Sequence, residues 1–125
     1  MINDLSAAFN ERDFSRFERW ADPEIVFDFT RSIGLQSGTY RGHAALAEFF
    51  ETFIEAWEEV NWEATRVEEV DEDHLLVTSR MSGRGRGSGI EVDAQGAQSW
   101  ELHDGKVLRV TMFQTRNEAA AALGL

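Results

Sequence analysis

Residues 43–60 read HAALAEFFETFIEAWEEV and residues 61–84 read NWEATRVEEVDEDHLLVTSRMSGR, and the change of hydrophobic period between them decides the fold. In the first stretch Leu46, Phe49, Phe50, Phe53, Trp57 and Val60 recur at helical spacing, which predicts one long helix from about His43 to Val60. Glu48, Glu51, Glu55, Glu58 and Glu59 fall largely on the opposite side. With no histidine interleaved and no second carboxylate helix, they read as a solvated face and not as a metal site. Beyond Asn61 the pattern changes to alternation. Strands are expected over Asn61–Val70, His74–Arg84, Ile90–Val92, Gln98–His103 and Val107–Arg116. Asp71-Glu72-Asp73 and His103-Asp104-Gly105 have the composition of hairpin tips, and the glycine-alternating SGRGRGSG of residues 82–89 suggests a bent or bulged connection.

Upstream of the long helix, Ile2, Leu5, Ala8 and Phe9 predict a first short helix, with Asn3 or Asp4 as its cap. Asp13 is placed to cap a second helix carrying Phe14, Phe17 and Trp20, which must stop before Ala21-Asp22-Pro23 because proline disfavours helical geometry in the residue preceding it. Glu24–Phe29 reads as a short strand and Thr30–Thr39, with Gly34 and Gly38, as a loop. Two helices, a strand, a long helix and then a strand meander describe an α+β fold. A cone-shaped, curved, mainly antiparallel sheet would pack on one side against the N-terminal helices and the long helix. No repeat, linker or compositional break divides residues 1–125, so one domain is expected.

Composition narrows the function. The chain has 12 Lys+Arg against 23 Asp+Glu, a formal net charge of −11, and such a surface repels phosphate backbones. Eleven of the acids and a single base, Arg66, lie between Glu48 and Asp73, so the remainder is nearly neutral. Cysteine is absent, which removes disulfides, thiol nucleophiles and cysteine-ligated zinc. No stretch approaches the roughly 20 apolar residues of a membrane span, and no basic segment leads into an apolar one at the N-terminus. A cytoplasmic protein without nucleic-acid or membrane partners is expected. The three histidines His43, His74 and His103 do not converge in sequence, and SGRGRGSG lacks the strand–loop–helix context and the Lys-Ser/Thr of a phosphate loop.

The candidate site residues follow from strand faces. Asp28 lies inside the apolar run Ile25–Phe29, where alternation puts it with Val26, opposite Phe27 and Phe29. Buried on a pocket side, its carboxyl would gain basicity and suit general-base work; tied to an arginine or to loop amides, it would be structural. Arg80 could bind an anionic or carbonyl oxygen or neutralise Asp28. It shares its face with Leu76, Thr78, Ser82 and Arg84. Gln98 shares a face with Trp100 and Leu102, offering an amide beside an aromatic wall. Leu108, Val110, Met112 and Gln114 form a mostly apolar face with one polar tip.

Trp20-Ala21-Asp22-Pro23-Glu24-Ile25-Val26-Phe27-Asp28, then Tyr40-Arg41-Gly42-His43 leading into the long helix, then Trp100-Glu101-Leu102-His103-Asp104-Gly105-Lys106-Val107 together resemble the nuclear transport factor 2-like superfamily, in particular its SnoaL-like and ketosteroid isomerase-like branch. The resemblance spans essentially the whole chain and implies a cystatin-like roll with a pocket between curved sheet and helices, in a homodimer. Residue by residue, it places Asp28 on the isomerases' catalytic base. Gln98 falls on their protonated aspartate donor, a system long used to illustrate a carboxylic acid kept neutral, and Asp4 falls near their oxyanion-hole tyrosine. Against the related limonene epoxide hydrolases, Arg80 matches the arginine, while Ser82 and Met112 stand where carboxylates belong. The expectation is therefore a cofactor-independent isomerase or cyclase acting on a small apolar or carbonyl-containing molecule. Asp28 would be the base, Arg80 and Gln98 would steady the enolate oxygen, and Phe49, Phe53, Trp62, Ser82, Trp100, Met112 and Gln114 would form the pocket. The alternative is a non-catalytic ligand-binding or dimeric assembly module on the same fold. Apolar residues on both faces of the last strand (Val107 and Phe113, Val110 and Met112) point to a homodimer through the outer sheet face, since helices on one side can cover only one.

If the acidic stripe is a solvated face, replacing Glu51 and Glu55 together by Gln leaves the unfolding free energy within about 0.5 kcal/mol of the parent. Loss of cooperative denaturant unfolding in that variant would show that the carboxylates hold something.

Overall fold

The computed structural model describes residues 1–31 and 37–125. In chain order the elements are α1 (Ile2–Asn10), α2 (Phe14–Glu18), β1 (Ala21–Asp28), β2 (Thr39–Arg41), α3 (Gly42–Glu55), β3 (Trp57–Asp71), β4 (His74–Gly85), β5 (Glu91–His103), β6 (Lys106–Phe113) and α4 (Arg116–Ala122). Of the expected loop before β2, residues 32–36, with Gly34, lie outside the described residues. The strands form one curved six-stranded sheet in the order β2-β1-β6-β5-β4-β3; β1 and β6 run parallel and every other pair is antiparallel. The architecture is the α+β cone that the hydrophobic periods predict. At the β5–β6 tip, Asp104 and Gly105 both adopt positive φ (51° and 76°), the conformation that matches a two-residue turn to strand twist.

The main core lies on the concave face. Ile2 and Leu5 of α1, Phe17 of α2 and Leu46 and Phe49 of α3 are buried against Ile25, Phe27, Leu75, Val77, Trp100, Val107 and Val110 of the sheet. No side chain caps α1, which begins directly after Met1. Asp4 accepts instead from Trp20 Nε1 at 2.7 Å and from Arg16, tying α1 to the entry of β1.

Besides the missing side-chain caps of α1 and α2, the stop of α2 at Glu18 and the earlier start of β1 at Ala21, the structure departs from the sequence reading at three places that shape the sheet. The long helix ends at Glu55, and Trp57–Val60 belongs to β3. The turn after β4 explains the stop: the Arg86 guanidinium donates to the carbonyls of Glu55 (2.9 Å) and Trp57 (3.1 Å), and the Arg86 amide donates to the carbonyl of Ala56 (3.0 Å). Two guanidinium contacts and one backbone amide thus satisfy carbonyls at and just past the last turn, those of Glu55 and Ala56 being ones that helix geometry leaves open. Trp57–Val60 then extends the ladder against Gly83–Gly85. Second, Ile90–Val92 and Gln98–His103 are not two strands, since Asp93–Gly96 pairs continuously with Ser79–Ser82 and makes β5 one strand from Glu91. Residues of low β-propensity are carried by their ladder partners. Third, the last strand stops at Phe113, and Thr115 caps α4 by accepting from the Glu118 amide at 3.2 Å. The Thr-x-x-Glu spacing ahead of four alanines was the available signal.

α4 packs on the outer face, where Leu76, Ala97, Phe113 and Ala119 form a second buried cluster. Phe113 is therefore covered within the chain, which removes part of the reason for expecting a homodimer through that face. Among the described residues no helix is long and apolar enough to cross a membrane.

Gly83 pairs with Val60 in the β3–β4 ladder, and a Cβ there would lie 2.5 Å from the Glu59 carbonyl oxygen. Gly83→Ala should cost about 1–3 kcal/mol in urea unfolding, the range for overpacking against backbone; parent stability would contradict the close approach.

Candidate functional site

Between the concave face and the helices lies a cavity of about 300 Å³. Its walls come from Leu5 and Phe9 of α1, Phe17 of α2, Phe27 of β1 with the following Phe29, and Phe49, Phe50 and Phe53 of α3. The sheet adds Trp57, Trp62, Met81, Gln98, Trp100, Val110 and Met112. Every sheet residue among them sits on the inward-facing set of its strand, so alternation plus curvature builds the wall. The rings pack edge to face: Phe49 meets Phe27 with centroids 5.7 Å apart and Phe29 with centroids 4.9 Å apart.

Gln98 contributes the single amide among the described lining residues, beside the indoles of Trp57, Trp62 and Trp100, and none of those residues carries an ionisable group. Gln98 is 3% exposed; its Nε2 donates to Ser79 Oγ at 2.8 Å and approaches Met112 Sδ at 3.3 Å. Its Oε1 has no hydrogen-bond partner, nor has the Trp100 indole Nε1, and both are shielded from water. Unmade bonds at buried polar atoms are costly, so two of them at one cavity stand out.

Of the residues expected from sequence, the fold brings Phe49, Phe53, Trp62, Gln98, Trp100 and Met112 to this cavity. It does not bring Asp28, Arg80, Ser82 or Gln114 there. Asp28 was expected on the pocket side, but Phe27 and Phe29 take that side and Asp28 faces outward. Its carboxylate accepts from Arg109 at 2.9 Å and from the amide and hydroxyl of Thr30 at 3.0 and 2.6 Å. The reason is burial: two phenyl rings gain more from the concave face than a valine and a carboxylate do. Arg80 does not neutralise Asp28; it forks onto Asp93, with Nε 2.8 Å from Oδ1, on the exposed outer face. Ser82 shares that parity and lines a separate open polar groove with Glu59, Asn61, Glu91 and Asp93. Gln114 lies beyond the end of β6, is exposed, and donates to the carbonyl of Arg31 at 2.9 Å. Phe9, Phe27, Phe29 and Met81 are lining residues that the sequence reading left out. The alternation of Phe27 and Phe29 around Asp28 was the signal for two of them.

The histidines stay apart. His43 Nε2 lies 3.0 Å from the Ala21 carbonyl, His74 pairs with Asp71, and His103 lies beside Asp104.

The SnoaL-like domain model matches residues 2–110. The chain belongs to the SnoaL-like domain family. No curated protein matches it. Among solved structures, this SnoaL-like chain is similar to TerC co-crystallised with polyporic acid (TM-score 0.80, 19% identity, 99% of this chain and 95% of that one covered). A protein with a ketosteroid isomerase-like fold from Catenulispora acidiphila, in complex with trimethylamine, aligns with TM-score 0.79 at 12% identity over 99% of this chain and 92% of that one. RV0760c from Mycobacterium tuberculosis, in complex with estradiol-17beta-hemisuccinate, aligns with TM-score 0.76 at 14% identity over 90% of this chain and 89% of that one. At such identities the likeness shows the shared fold.

Asp28 has a structural role that titration exposes. Burial pushes its carboxyl upward, but the hydroxyl and amide of Thr30 and the Arg109 guanidinium outweigh that and hold it below the ordinary aspartate range. A depressed folded-state value means the stabilisation is full above the unfolded value, near pH 4, and is lost as pH falls through the folded one. Between pH 5 and pH 3 the parent should therefore lose more stability than Asp28→Asn, measured by urea unfolding at each pH. Parallel losses in the two proteins would show that Asp28 has no such partners.

Proposed function

We propose that this SnoaL-like chain binds a compact, uncharged, largely apolar small molecule, carbonyl-containing or similar, in the cavity between α3 and the sheet. The observation that carries the reading is the wall itself: phenyl, indole and thioether groups around about 300 Å³, without an ionisable side chain among the described lining residues. An ion entering such a cavity would lose its hydration without gaining a counter-charge. The similar structures crystallised with polyporic acid and with estradiol-17beta-hemisuccinate support a small-molecule cavity by kinship of fold, and the uncharged class rests on this lining alone.

Isomerase or cyclase chemistry with Asp28 as base is the reading the geometry favours less. A general base must reach the proton it removes, directly or through one water. Asp28 faces the other side of β1 and is engaged by Arg109, and Arg80 is engaged by Asp93. What remains in the cavity can orient and desolvate a ligand.

An uncharged naphthyl ketone fluorophore provides the test. Saturable binding with blue-shifted emission is expected for the parent and for Asp28→Asn alike. Met112→Trp, which fills the cavity, should weaken binding by roughly tenfold or more, the loss of about one buried side chain's worth of contact. An absence of saturable binding, or equal binding to the filled variant, would overturn the reading.

A further inference from the structure

A second, much smaller hollow adjoins the cavity. It is a pit of about 30 Å³ where α1, α2 and α3 meet, bordered by Ala8, Arg12, Asp13, Phe14 and Ile54. Among the described residues, Phe9, Phe17 and Phe50 line both the pit and the cavity. The partition between the two is therefore made of rings, with Phe50 centroids 5.8 Å from Phe9 and 5.2 Å from Phe17. A ring turns about its own side-chain bonds without breaking a hydrogen bond, whereas the ladder that walls the other side of the cavity parts only by losing several.

The three rings are not held alike. Phe17 is buried and stacks on Phe14. Phe50 is hemmed in by Phe14, Phe17, Phe27 and Phe49 as well as by Phe9. Phe9 is half-buried on the last turn of α1, and its ring meets those of Phe50 and Phe53. The backbone around it is fixed. Asn10 holds both backbone groups of Trp62, and the amides of Arg12 and Asp13 donate back to the carbonyls of Phe9 and Ala8 at 3.1 and 2.8 Å. Arg12 takes a φ of 58°, a left-handed conformation seldom adopted by residues other than glycine, and this tight turn carries Arg12 and Asp13 to the border of the pit.

We propose that the pit is the outer end of the ligand's passage and that Phe9 is the gate, its ring swinging aside to join pit and cavity. This rests on the cavity binding a small molecule and adds the route by which the molecule enters and leaves. The helices stay in place, because the backbone is pinned on both sides of Phe9 and only the ring moves. Such a gate has a kinetic signature. A group met in the passage but absent from the bound state changes the barrier to entry and to exit alike, so both rates shift by one factor and the affinity stays where it was.

Stopped-flow fluorescence with the naphthyl ketone fluorophore tests this on the parent, Ile54→Trp and Phe9→Leu. Ile54 borders the pit and is not among the described lining residues of the cavity. Its replacement by Trp should slow association and dissociation each by roughly tenfold and leave Kd within about twofold of the parent, which also shows that the variant folds. Phe9→Leu should quicken association several-fold, whereas mere loss of a wall contact would quicken dissociation alone; this result decides the matter if the indole at position 54 prevents folding. Parent association rates in the variants that fold, or a changed Kd in Ile54→Trp without matching changes in the two rates, overturn the passage and leave the cavity reading standing. An absence of saturable binding by the parent overturns the cavity reading and the passage with it.

Discussion

Leu46 and Phe49 of α3 are buried against the concave sheet face, Phe49 meeting Phe27 of β1 edge to face and lying tilted against Tyr40 of β2 with centroids 4.6 Å apart. Nearly every other feature depends on this docking. It holds the short β1–β2 edge of the sheet, where residues 39–41 pair with 26–28, and it places Phe50 and Phe53 over the centre of the cone. The curved sheet meets α3 at Leu46 and Phe49, and the cavity is the space left beside that contact. Filling it with side chains would add stability through dispersion and burial, so a cavity of about 300 Å³ forgoes some packing stability.

The chain end and the glycine-rich turn finish what α3 begins. Arg86 terminates α3 and lets Trp57 start β3 at the cavity rim, while α4 covers the outer-face cluster of Leu76, Ala97 and Phe113. On the edge strand, Asn10 pairs with both backbone groups of Trp62, accepting from its amide at 2.8 Å and donating to its carbonyl at 3.0 Å. A side-chain amide there does what a neighbouring strand would do, and it occupies part of an open edge.

The charged groups that looked catalytic work on the outside of the sheet. Arg109 stands opposite Val26 and Thr111 opposite Asp28 in the parallel β1–β6 ladder, so the Asp28–Arg109 pair clamps the one parallel junction of the sheet. Arg80 and Asp93 cross from β4 to β5, and Arg116 forks onto Glu68 at 2.9 and 2.7 Å, linking α4 to β3. These contacts are part-exposed, where ion pairs contribute modestly and serve mainly to set register. Polar chemistry at the cavity is left to Gln98, Ser79 and Trp100.

That Phe49, Phe53, Trp62, Gln98, Trp100 and Met112 share one wall was what the family resemblance implied. The periods of hydrophobicity in this sequence were enough for the α+β class, the strand meander and the hairpin tip at Asp104-Gly105, which are local properties, since alternation and helical spacing are written in neighbouring residues. Tertiary structure alone decided which face of β1 turns inward, because Phe27 with Phe29 and Val26 with Asp28 are both legitimate alternations until the helices choose between them. It also decided where α3 ends, since the cation that closes it stands 31 residues away in sequence. The partners of Asp28 and Arg80 are non-local for the same reason: an arginine 81 residues from Asp28 and an aspartate 13 residues from Arg80 meet them only once the sheet has closed. A sequence lists which groups can pair, and only the folded ladder brings particular ones within 3 Å.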